Sequence, residues 1–421
     1  MKRKLISLVS LLLSCIIGTS CIGCVSEAKS NDLMDGYEKK AKDAINEGSF
    51  ELPDADNSTM TEFSVKLFKE SFEAEKNTLI SPLSVISALA MTAGGADGNT
   101  LSQMETVFGM DKDTLDGYIS SYVSGLPQGD KYKLNLANSI WLRDSSSFSP
   151  NGDFLQHNAD YYGADIYEAP FDDSTVKEIN SWVSDNTDGM IDSIIDRISA
   201  DTIMYLINAL AFDAEWEEIY EKYDVRDGDF TKEDGSKISV DFMYSTEGAY
   251  IADELAAGFI KYYDGRKYAF AALLPNEGVT VEEYISSLNG VDVHEMLSSA
   301  THTNVRASIP KFETKYSVEM SDILSTLGMP DAFDSTLADF SGMGTADGNI
   351  YINRVIHKTF ISVGEKGTRA GAATVVEMNC TSAAPIVEPK EVYLDRPFVY
   401  MLIDCENNVP FFIGAMMDPS K

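Results

Sequence analysis

Residues Gly364 to Met378 read GEKGTRAGAATVVEM, a glycine-punctuated turn that continues into a segment with strand-like alternation. One face, formed by every second residue, carries no charge and consists of Thr368, Ala370, Ala372, Thr374, Val376 and Met378. The charged Arg369 and Glu377 fall on the opposite face, as the two-residue period of a strand requires. Residues 382–385 just beyond are typical of an exposed loop. The pattern therefore predicts a segment that is an exposed loop at one time and a half-buried strand at another.

The first 23 residues have the pattern of a secretory signal. The basic Lys2-Arg3-Lys4 precedes an apolar core over residues 5–17, which is shorter than the about 20 apolar residues that a membrane-spanning helix needs. We therefore predict a signal peptide over residues 1–23 and an extracellular protein.

The end of this segment, Ile22-Gly23-Cys24, resembles a bacterial lipoprotein cleavage site in which Cys24 carries the lipid. Cys21 stands where that motif usually has Leu, so ordinary signal cleavage is the alternative. We expect a protein that is either secreted or lipid-anchored at the bacterial cell surface, with residues 24–56 as a polar tether. The lipid anchor is the one membrane contact that the sequence predicts.

Composition and net charge limit the classes of function that the protein can have. Residues 57–421 contain no Pro-, Gly- or Ser-rich linker, and 44% of the chain is apolar, so we predict one large domain with an ample core. The formal net charge of −34 comes from acids spread along the whole chain. Phosphate binding needs clustered Lys and Arg, so we predict no nucleic-acid partner, whereas steering of a basic protein partner stays open.

Helical patterns lie mainly in the first half of the chain and strand patterns in the second. Residues 204–216 form an almost uninterrupted apolar run, typical of a central strand covered on both faces, and Asn208 inside it must find a hydrogen-bond partner. Thr59-x-x-Glu62 predicts a capping box with a helix start near residue 59, and residues 316–327 show a further helical pattern. We therefore predict an α+β fold with large sheets.

The sequence shows no constellation of catalytic or metal-binding residues. Its four histidines include no pair at the helical spacing of a zinc site, and no phosphate-binding glycine fingerprint follows a strand. A lone His on an apolar strand, such as His357, is more often a hydrogen-bonded core residue than a catalytic one. We predict that the protein is not an enzyme and binds no metal and no cofactor.

A series of motifs in one order identifies the family that the chain resembles. They are Ile80-Ser81-Pro82-Leu83-Ser84, Asn138-Ser139-Ile140-Trp141, Ile179-Asn180-x-Trp182-Val183, Ile309-Pro310-Lys311-Phe312, Glu365-Lys366-Gly367-Thr368, Arg396-Pro397-Phe398 and Phe412-Ile413-Gly414. From about Ser58 to Pro419 the chain resembles a serpin, a serine protease inhibitor. The resemblance implies three β-sheets, about nine helices and an exposed reactive-centre loop, here at about residues 365–392 of a domain spanning residues 57–421.

In this family a target protease cleaves the reactive-centre loop as if it were a substrate. The cleaved loop inserts into the main sheet as a new central strand and drags the acylated protease across the molecule. The resemblance therefore implies a suicide-substrate inhibitor whose partner is a serine protease, held in a covalent acyl complex. We expect the inhibitor to be a monomer.

The resemblance assigns three groups of residues to this insertion. The hinge, which inserts first, consists of Glu365, Gly367, Thr368, Ala370, Gly371, Ala372 and Ala373. The shutter, where the strands part, consists of Ser81, Ser84, Asn208 and His357, and the breach, where the loop enters, contains Trp216. Each inserted residue loses about 1–2 kcal/mol of backbone entropy, which ladder bonds of about 0.5–1.5 kcal/mol only balance. The net favourable free energy of insertion must therefore come from burial of the uncharged face of the hinge.

Two counts by the family's spacing give the scissile bond. Counting from Glu365 gives Thr381-Ser382, and counting back from Pro397 gives Ile386-Val387. We favour the first, because the depth of insertion limits that side of the loop. The candidate specificity residues Cys380, Thr381, Ser382 and Ala383 are all small, and the window around the bond extends to Ala384, whose bond to Pro385 is a poor one for most proteases.

Small residues at the scissile bond suit the shallow pocket of an elastase-like protease, and this predicts inhibition of elastase-like serine proteases. Inhibition of subtilisin-like or papain-like proteases is an alternative within the same fold. A non-inhibitory binding module is an alternative from another class. The two classes differ in whether cleavage of the loop raises the melting temperature.

Overall fold

The structure is a computed structural model that describes residues 29–38, 52–144, 148–199, 202–368 and 388–421. No helix within these ranges is long and apolar enough to cross a membrane. The predicted signal peptide and Cys24 lie outside the described residues.

Nine α-helices lie in the described part of the chain. They are α1 Asp54–Ser71, α2 Pro82–Ala93, α3 Gly98–Phe108, α4 Lys112–Gly125, α5 Gly152–Tyr161, α6 Asp173–Asn186, α7 Val281–Ser287, α8 Gly290–Ser298 and α9 Ser321–Leu327. Side-chain caps explain where several begin. Ser81 accepts a hydrogen bond from the Ser84 N–H at the start of α2, and Asp172 accepts from two backbone N–H groups at the start of α6.

Eighteen strands complete the described fold. They are β1 Asn31–Asp32, β2 Thr78–Ile80, β3 Tyr132–Arg143, β4 Ser149–Pro150, β5 Asp165–Ala169, β6 Met204–Glu215, β7 Val225–Thr231, β8 Lys237–Ala252, β9 Ala256–Tyr262, β10 Tyr268–Pro275, β11 Thr301–Pro310, β12 Phe312–Glu319, β13 Gly344–Thr345, β14 Arg354–Gly364, β15 Gly367–Thr368, β16 Lys390–Tyr393, β17 Phe398–Asp404 and β18 Val409–Met416.

These strands form three sheets within the described residues. A seven-stranded sheet has the order β1-β5-β3-β6-β15-β14-β12, and β6 also pairs directly with β14. A nine-stranded sheet runs β16-β11-β8-β9-β10-β17-β18-β2, with β7 paired to β8, and β4 pairs with β13. The prediction of an α+β fold with three sheets and nine helices is confirmed.

The central strand β6 is covered on both faces, as its apolar run predicts. Leu206 and Leu210 face the main core, on what we call the core face of the sheet. Tyr205 and Ile207 belong to a second apolar cluster beneath α6, on what we call the α6 face. β14 follows the same alternation, since Ile361 lies in the main core and Ile356 in the cluster beneath α6.

Two predicted helix boundaries are wrong. Helix α1 begins at Asp54 rather than near residue 59, and the Thr59 hydroxyl donates to the Ala55 carbonyl instead of capping. Carboxylates in the first turn favour this earlier start because they face the positive end of the helix dipole. Tyr316 lies in β12, paired with Thr359, and the helix of this region starts only at Ser321.

The predicted tether also differs from the structure where it is described. Residues 29–38 lie along the body of the protein: β1 adds to the edge of the seven-stranded sheet beside β5, and the Met34 side chain is buried. Ser30 donates a backbone hydrogen bond of 3.1 Å to the Glu178 carboxylate of α6. Backbone pairing, the Ser30 hydrogen bond and the apolar contacts of Leu33, Met34 and Tyr37 therefore hold a segment whose polar composition predicted a tether.

Candidate functional site

The chain re-enters the seven-stranded sheet directly after β14. It reverses through residues 365–366, and Gly367–Thr368 form β15 between β14 and β6. Thr368 pairs with Val363 on one side and Ala214 on the other. Gly367 has a φ of 153°, and a side-chain carbon there would lie 2.0 Å from the Ala214 carbonyl oxygen, so this position requires glycine. Two residues of the predicted hinge are thus already part of the sheet.

Trp216, the predicted breach residue, binds this turn. Its backbone N–H donates to the Lys366 carbonyl at 2.8 Å, and its indole Nε1–H donates to the Gly364 carbonyl at 2.9 Å. The backbone N–H of Tyr220 donates to the carbonyl of Glu365 at 2.9 Å. Three successive carbonyls of the turn are therefore held from the end of β6 and the segment after it.

The Glu365 side chain forms an ion pair across the same end of the sheet. Lys311 Nζ lies 2.8 Å from the Glu365 carboxylate, and this hydrogen bond lowers the pKa of Glu365 below its ordinary value. Both side chains are partly exposed, and such pairs contribute about 0–1 kcal/mol. The pair therefore orients the turn more than it stabilises the fold.

Below Thr368 no described residue lies between β6 and β14 over part of their length. These strands pair directly, as parallel strands, from Arg354 opposite Tyr205 to His357 opposite Asn208. Residues 358–362 of β14 then face β6 with no described strand between the two, and we call this stretch the slot. A strand that continued β15 in its own register would place five residues in the slot before reaching the level of Asn208 and His357.

The four predicted shutter residues lie together at the closed end of the slot. His357 Nε2 accepts a hydrogen bond of 3.0 Å from the Ser81 N–H. The Asn208 amide donates to the Ser84 carbonyl and, at 2.6 Å, to Asn138 Oδ1. Ser84 Oγ, Asn208 Oδ1 and His357 Nδ1 are buried and have no hydrogen-bond partner among the described residues. The structure thus brings the four residues into contact and leaves polar atoms available at their centre.

His357 is a buried neutral base in this cluster. It is 1% exposed, and burial lowers its pKa to about 3. At neutral pH the imidazole is therefore uncharged and can accept the Ser81 hydrogen bond. This arrangement fits the hydrogen-bonded core residue that the sequence favoured over a catalytic one.

Several predicted site residues lie outside the described residues. These are the hinge positions Ala370, Gly371, Ala372 and Ala373, and the reactive-bond window Cys380, Thr381, Ser382, Ala383 and Ala384. Their roles stay predictions. In the described ranges no three His, Cys, Asp or Glu side chains form a group that could hold a metal ion.

One residue that contacts the hinge, Tyr263, was not predicted, because no motif or pattern in the sequence marks it. Its ring stacks on Trp216 with centroids 4.3 Å apart, and its hydroxyl lies 2.5 Å from Thr368 Oγ1. Lys261 lies nearby, 3.1 Å from the Glu247 carboxylate and over the Trp216 ring. Lys261 lies in β9 of the nine-stranded sheet and Tyr263 directly follows that strand, so only the packing of the two sheets brings both residues to the hinge.

The comparisons with known proteins agree with this geometry. The family model described as "Serpin (serine protease inhibitor)" matches residues 58–419. An uncharacterized serpin-like protein of Thermococcus kodakarensis is 30% identical over 400 residues, which cover 93% of this chain and 88% of that protein. Leukocyte elastase inhibitor A of Rattus norvegicus is 28% identical over 379 residues, covering 85% and 97%. The native crystal structure of the thermophilic serpin tengpin matches with a TM-score of 0.85 and 45% identity, covering 93% and 100%.

Proposed function

The chain belongs to the serpin family, and from this premise we propose that it is a suicide-substrate inhibitor of elastase-like serine proteases. The observation that carries the proposal is the docked hinge above the slot. Gly367 and Thr368 already pair with β6 and β14, and the slot continues their register. A loop freed by cleavage can therefore extend β15 without changing its alignment.

The chemistry at the reactive bond is that of an interrupted proteolysis. The serine hydroxyl of the protease attacks the Thr381 carbonyl, an ester to the protease forms, and the amine of Ser382 leaves with the serine proton. The loop up to residue 381 is then free to enter the sheet with the protease attached. Hydrolysis of the ester would release an active protease, so trapping requires insertion to be faster than hydrolysis.

The register supports insertion by this particular sequence. Thr368 is 1% exposed on the core face, so in an inserted loop Ala370 and Ala372 would follow it onto that face, where small uncharged side chains can be buried. Thr374 follows on the same face at the position between Asn208 and His357. Its hydroxyl would there meet Asn208 Oδ1 and His357 Nδ1, which need hydrogen-bond partners.

Elastase-like specificity rests on small side chains around the proposed bond. Thr381, Ser382, Ala383 and Cys380 all fit a shallow primary pocket, whereas a protease that needs Lys or Arg finds neither in the chain between Arg369 and Lys390. The rat relative is named for inhibition of leukocyte elastase, which agrees with this choice.

Incubation with elastase tests the proposal. We expect a covalent complex that survives boiling in detergent, and mass spectrometry of the released C-terminal peptide should begin at Ser382. A digest that contains only cleaved inhibitor and fully active elastase would refute inhibition. A panel with subtilisin-like and papain-like proteases would separate the alternative targets.

The melting temperature of the loop-cleaved protein separates an inhibitor from a binding module. Insertion adds a central strand to the sheet, so we expect cleavage by a non-target protease to raise the melting temperature by tens of degrees. An unchanged melting temperature would favour a non-inhibitory binding module.

We also propose that the protein acts outside the cell, because its N-terminus has a signal pattern that ends at Cys24. Mass spectrometry of the mature protein distinguishes a lipidated Cys24 from an unmodified N-terminus. A mature chain that still begins at Met1 would exclude both forms of export.

A further inference from the structure

We infer that Tyr263 is a positioning residue that keeps the hinge docked in the sheet and thereby sets how much of the reactive-centre loop is free. The inference rests on the proposed inhibitory function and deepens it. Its basis is the contact between the Tyr263 hydroxyl and Thr368 Oγ1, which are 2.5 Å apart in a fully buried place.

The Tyr263 ring is fixed before it meets the hinge. It lies nearly parallel to Trp216, with an interplanar angle of 8°, and edge-on to Phe212 with centroids 5.1 Å apart. Trp216 and Tyr263 are also joined by an isolated backbone bridge between the two sheets. The hydroxyl therefore has one direction available, and Thr368 lies in that direction.

Undocking of Thr368 would leave this hydroxyl in a buried place without its partner. Burial raises the pKa of Tyr263, so the hydroxyl stays neutral and needs a hydrogen-bond partner. A lost hydrogen bond to a buried hydroxyl changes an equilibrium by roughly tenfold or more. Tyr263 thus favours the docked hinge over the undocked one by about that factor.

The docked hinge has two opposing effects on inhibition. It starts insertion in the correct register, because Thr368 already pairs with Ala214 and Val363. It also withdraws Gly367 and Thr368 from the segment that a protease can reach. Tyr263 consequently sets the balance between how readily the reactive-centre loop inserts and how much of that loop a protease can reach.

Hydrogen exchange on the intact protein tests the docking directly. Tyr263→Phe keeps the ring stack and removes only the hydroxyl, so we expect amides of residues 364–368 to exchange about tenfold faster than in the unchanged protein. Tyr268→Phe is the matched control. Tyr268 is also buried and edge-on to Phe212, but its hydroxyl donates to the Pro127 carbonyl and does not touch the hinge.

The double variant Tyr263→Phe/Thr368→Val supplies a rescue. It removes both polar partners, so neither state leaves an unsatisfied hydroxyl, and exchange should return towards that of the unchanged protein. The inference is overturned if Tyr263→Phe leaves exchange unchanged, if Tyr268→Phe raises it equally, or if the double variant exchanges as fast as the single one. If Tyr263→Phe simply destabilised the whole fold, adding Thr368→Val would not slow the exchange again.

A second measurement covers the exposure of the loop. Limited thermolysin, a zinc protease that forms no acyl-enzyme, should cut the loop of Tyr263→Phe several-fold faster than the loop of Tyr268→Phe, and equal rates would overturn this half of the inference. These experiments need no trapped protease. If hydrogen exchange follows the expected pattern but elastase is not trapped, the proposed function is refuted. If elastase is trapped normally but the exchange pattern is absent, the role of Tyr263 is refuted.

Discussion

His357 couples the stability of the protein to pH. Its pKa is about 3 in the folded protein, against an ordinary value of 6.5, because burial disfavours the charged form. Below about pH 6.5 the unfolded chain therefore binds a proton that the folded protein does not. The contribution of His357 is complete above that pH and is lost as the pH falls towards 3, by up to about 1.4 kcal/mol per pH unit.

We predict that His357→Gln removes this part of the acid sensitivity. Between pH 6 and pH 5 the unchanged protein should lose about 1 kcal/mol more unfolding free energy than the variant, measured by urea titration at each pH. His302→Gln is the control, because His302 is exposed. Parallel pH curves for the unchanged protein and His357→Gln would contradict the prediction.

At the scale of residues, the resemblance to the family predicted those site residues that lie in recognisable motifs. Ser81, Asn208 and His357 stand in quoted motifs or an apolar strand, and the structure brings them together. Tyr263 stands in no motif, and its contact with Thr368 joins residues 105 positions apart. Such a contact depends on how two sheets pack, which local sequence does not encode.

The inserting element needs one face without charge. If the loop inserted in the register of β15, residue 372 would lie beside Thr359 on the core face and residue 373 beside Lys358 on the α6 face. Thr359 is 2% exposed, whereas Lys358 is only half-buried. The two neighbouring alanines therefore face opposite environments once inserted.

We predict that Ala372→Glu abolishes insertion and that Ala373→Glu does not. An unpaired buried carboxylate costs several kcal/mol, whereas Glu at 373 can pair with Lys358. The measurement is the rise in melting temperature on loop cleavage, together with the yield of the elastase complex. Similar behaviour of the two variants would show that the register does not continue beyond Thr368.

The same register predicts a charge pair during insertion. Residue 369 comes to lie beside Asp213 of β6 and Ser362 of β14, on the α6 face. Arg369→Glu should therefore slow insertion by several-fold, as like charges on neighbouring strands are destabilising. Reversing both charges in Arg369→Glu/Asp213→Arg should restore the rate, measured as the fraction of elastase trapped rather than released. An equally slow double variant would refute the pairing.

Strands were more predictable than helix ends. The apolar run of residues 204–216 became β6 over Met204–Glu215, because burial on both faces needs that composition. Thr59 looked like a cap, yet inside α1 its hydroxyl bonds back to the Ala55 carbonyl. Residues 29–38 were unpredictable for a related reason, since a mainly polar segment can join a sheet edge through backbone hydrogen bonds, which any sequence can form.

At the scale of the whole molecule, the net charge is expected to affect the rate at which charged partners associate. The chain carries a formal net charge of −34. A field of this sign attracts a basic protease and is screened beyond about 8 Å at physiological ionic strength.

We predict that association with a basic elastase slows on the order of tenfold when ionic strength rises from about 0.01 M to about 0.15 M. Stopped-flow measurement of complex formation gives the rate. Elastase with succinylated lysines is the control and should show little or opposite salt dependence. A rate independent of salt for the basic enzyme would show that steering plays no part.

We expect the slot to limit the lifetime of the inhibitory form. An uncleaved loop that entered the slot would complete the sheet and withdraw the reactive bond, so a barrier to entry would be what preserves that form. Entry past the slot would require separation of the parallel pairs from Arg354–Tyr205 to His357–Asn208. Activity should therefore decay as a first-order process in protein that stays folded, and storage quality is described by a half-life.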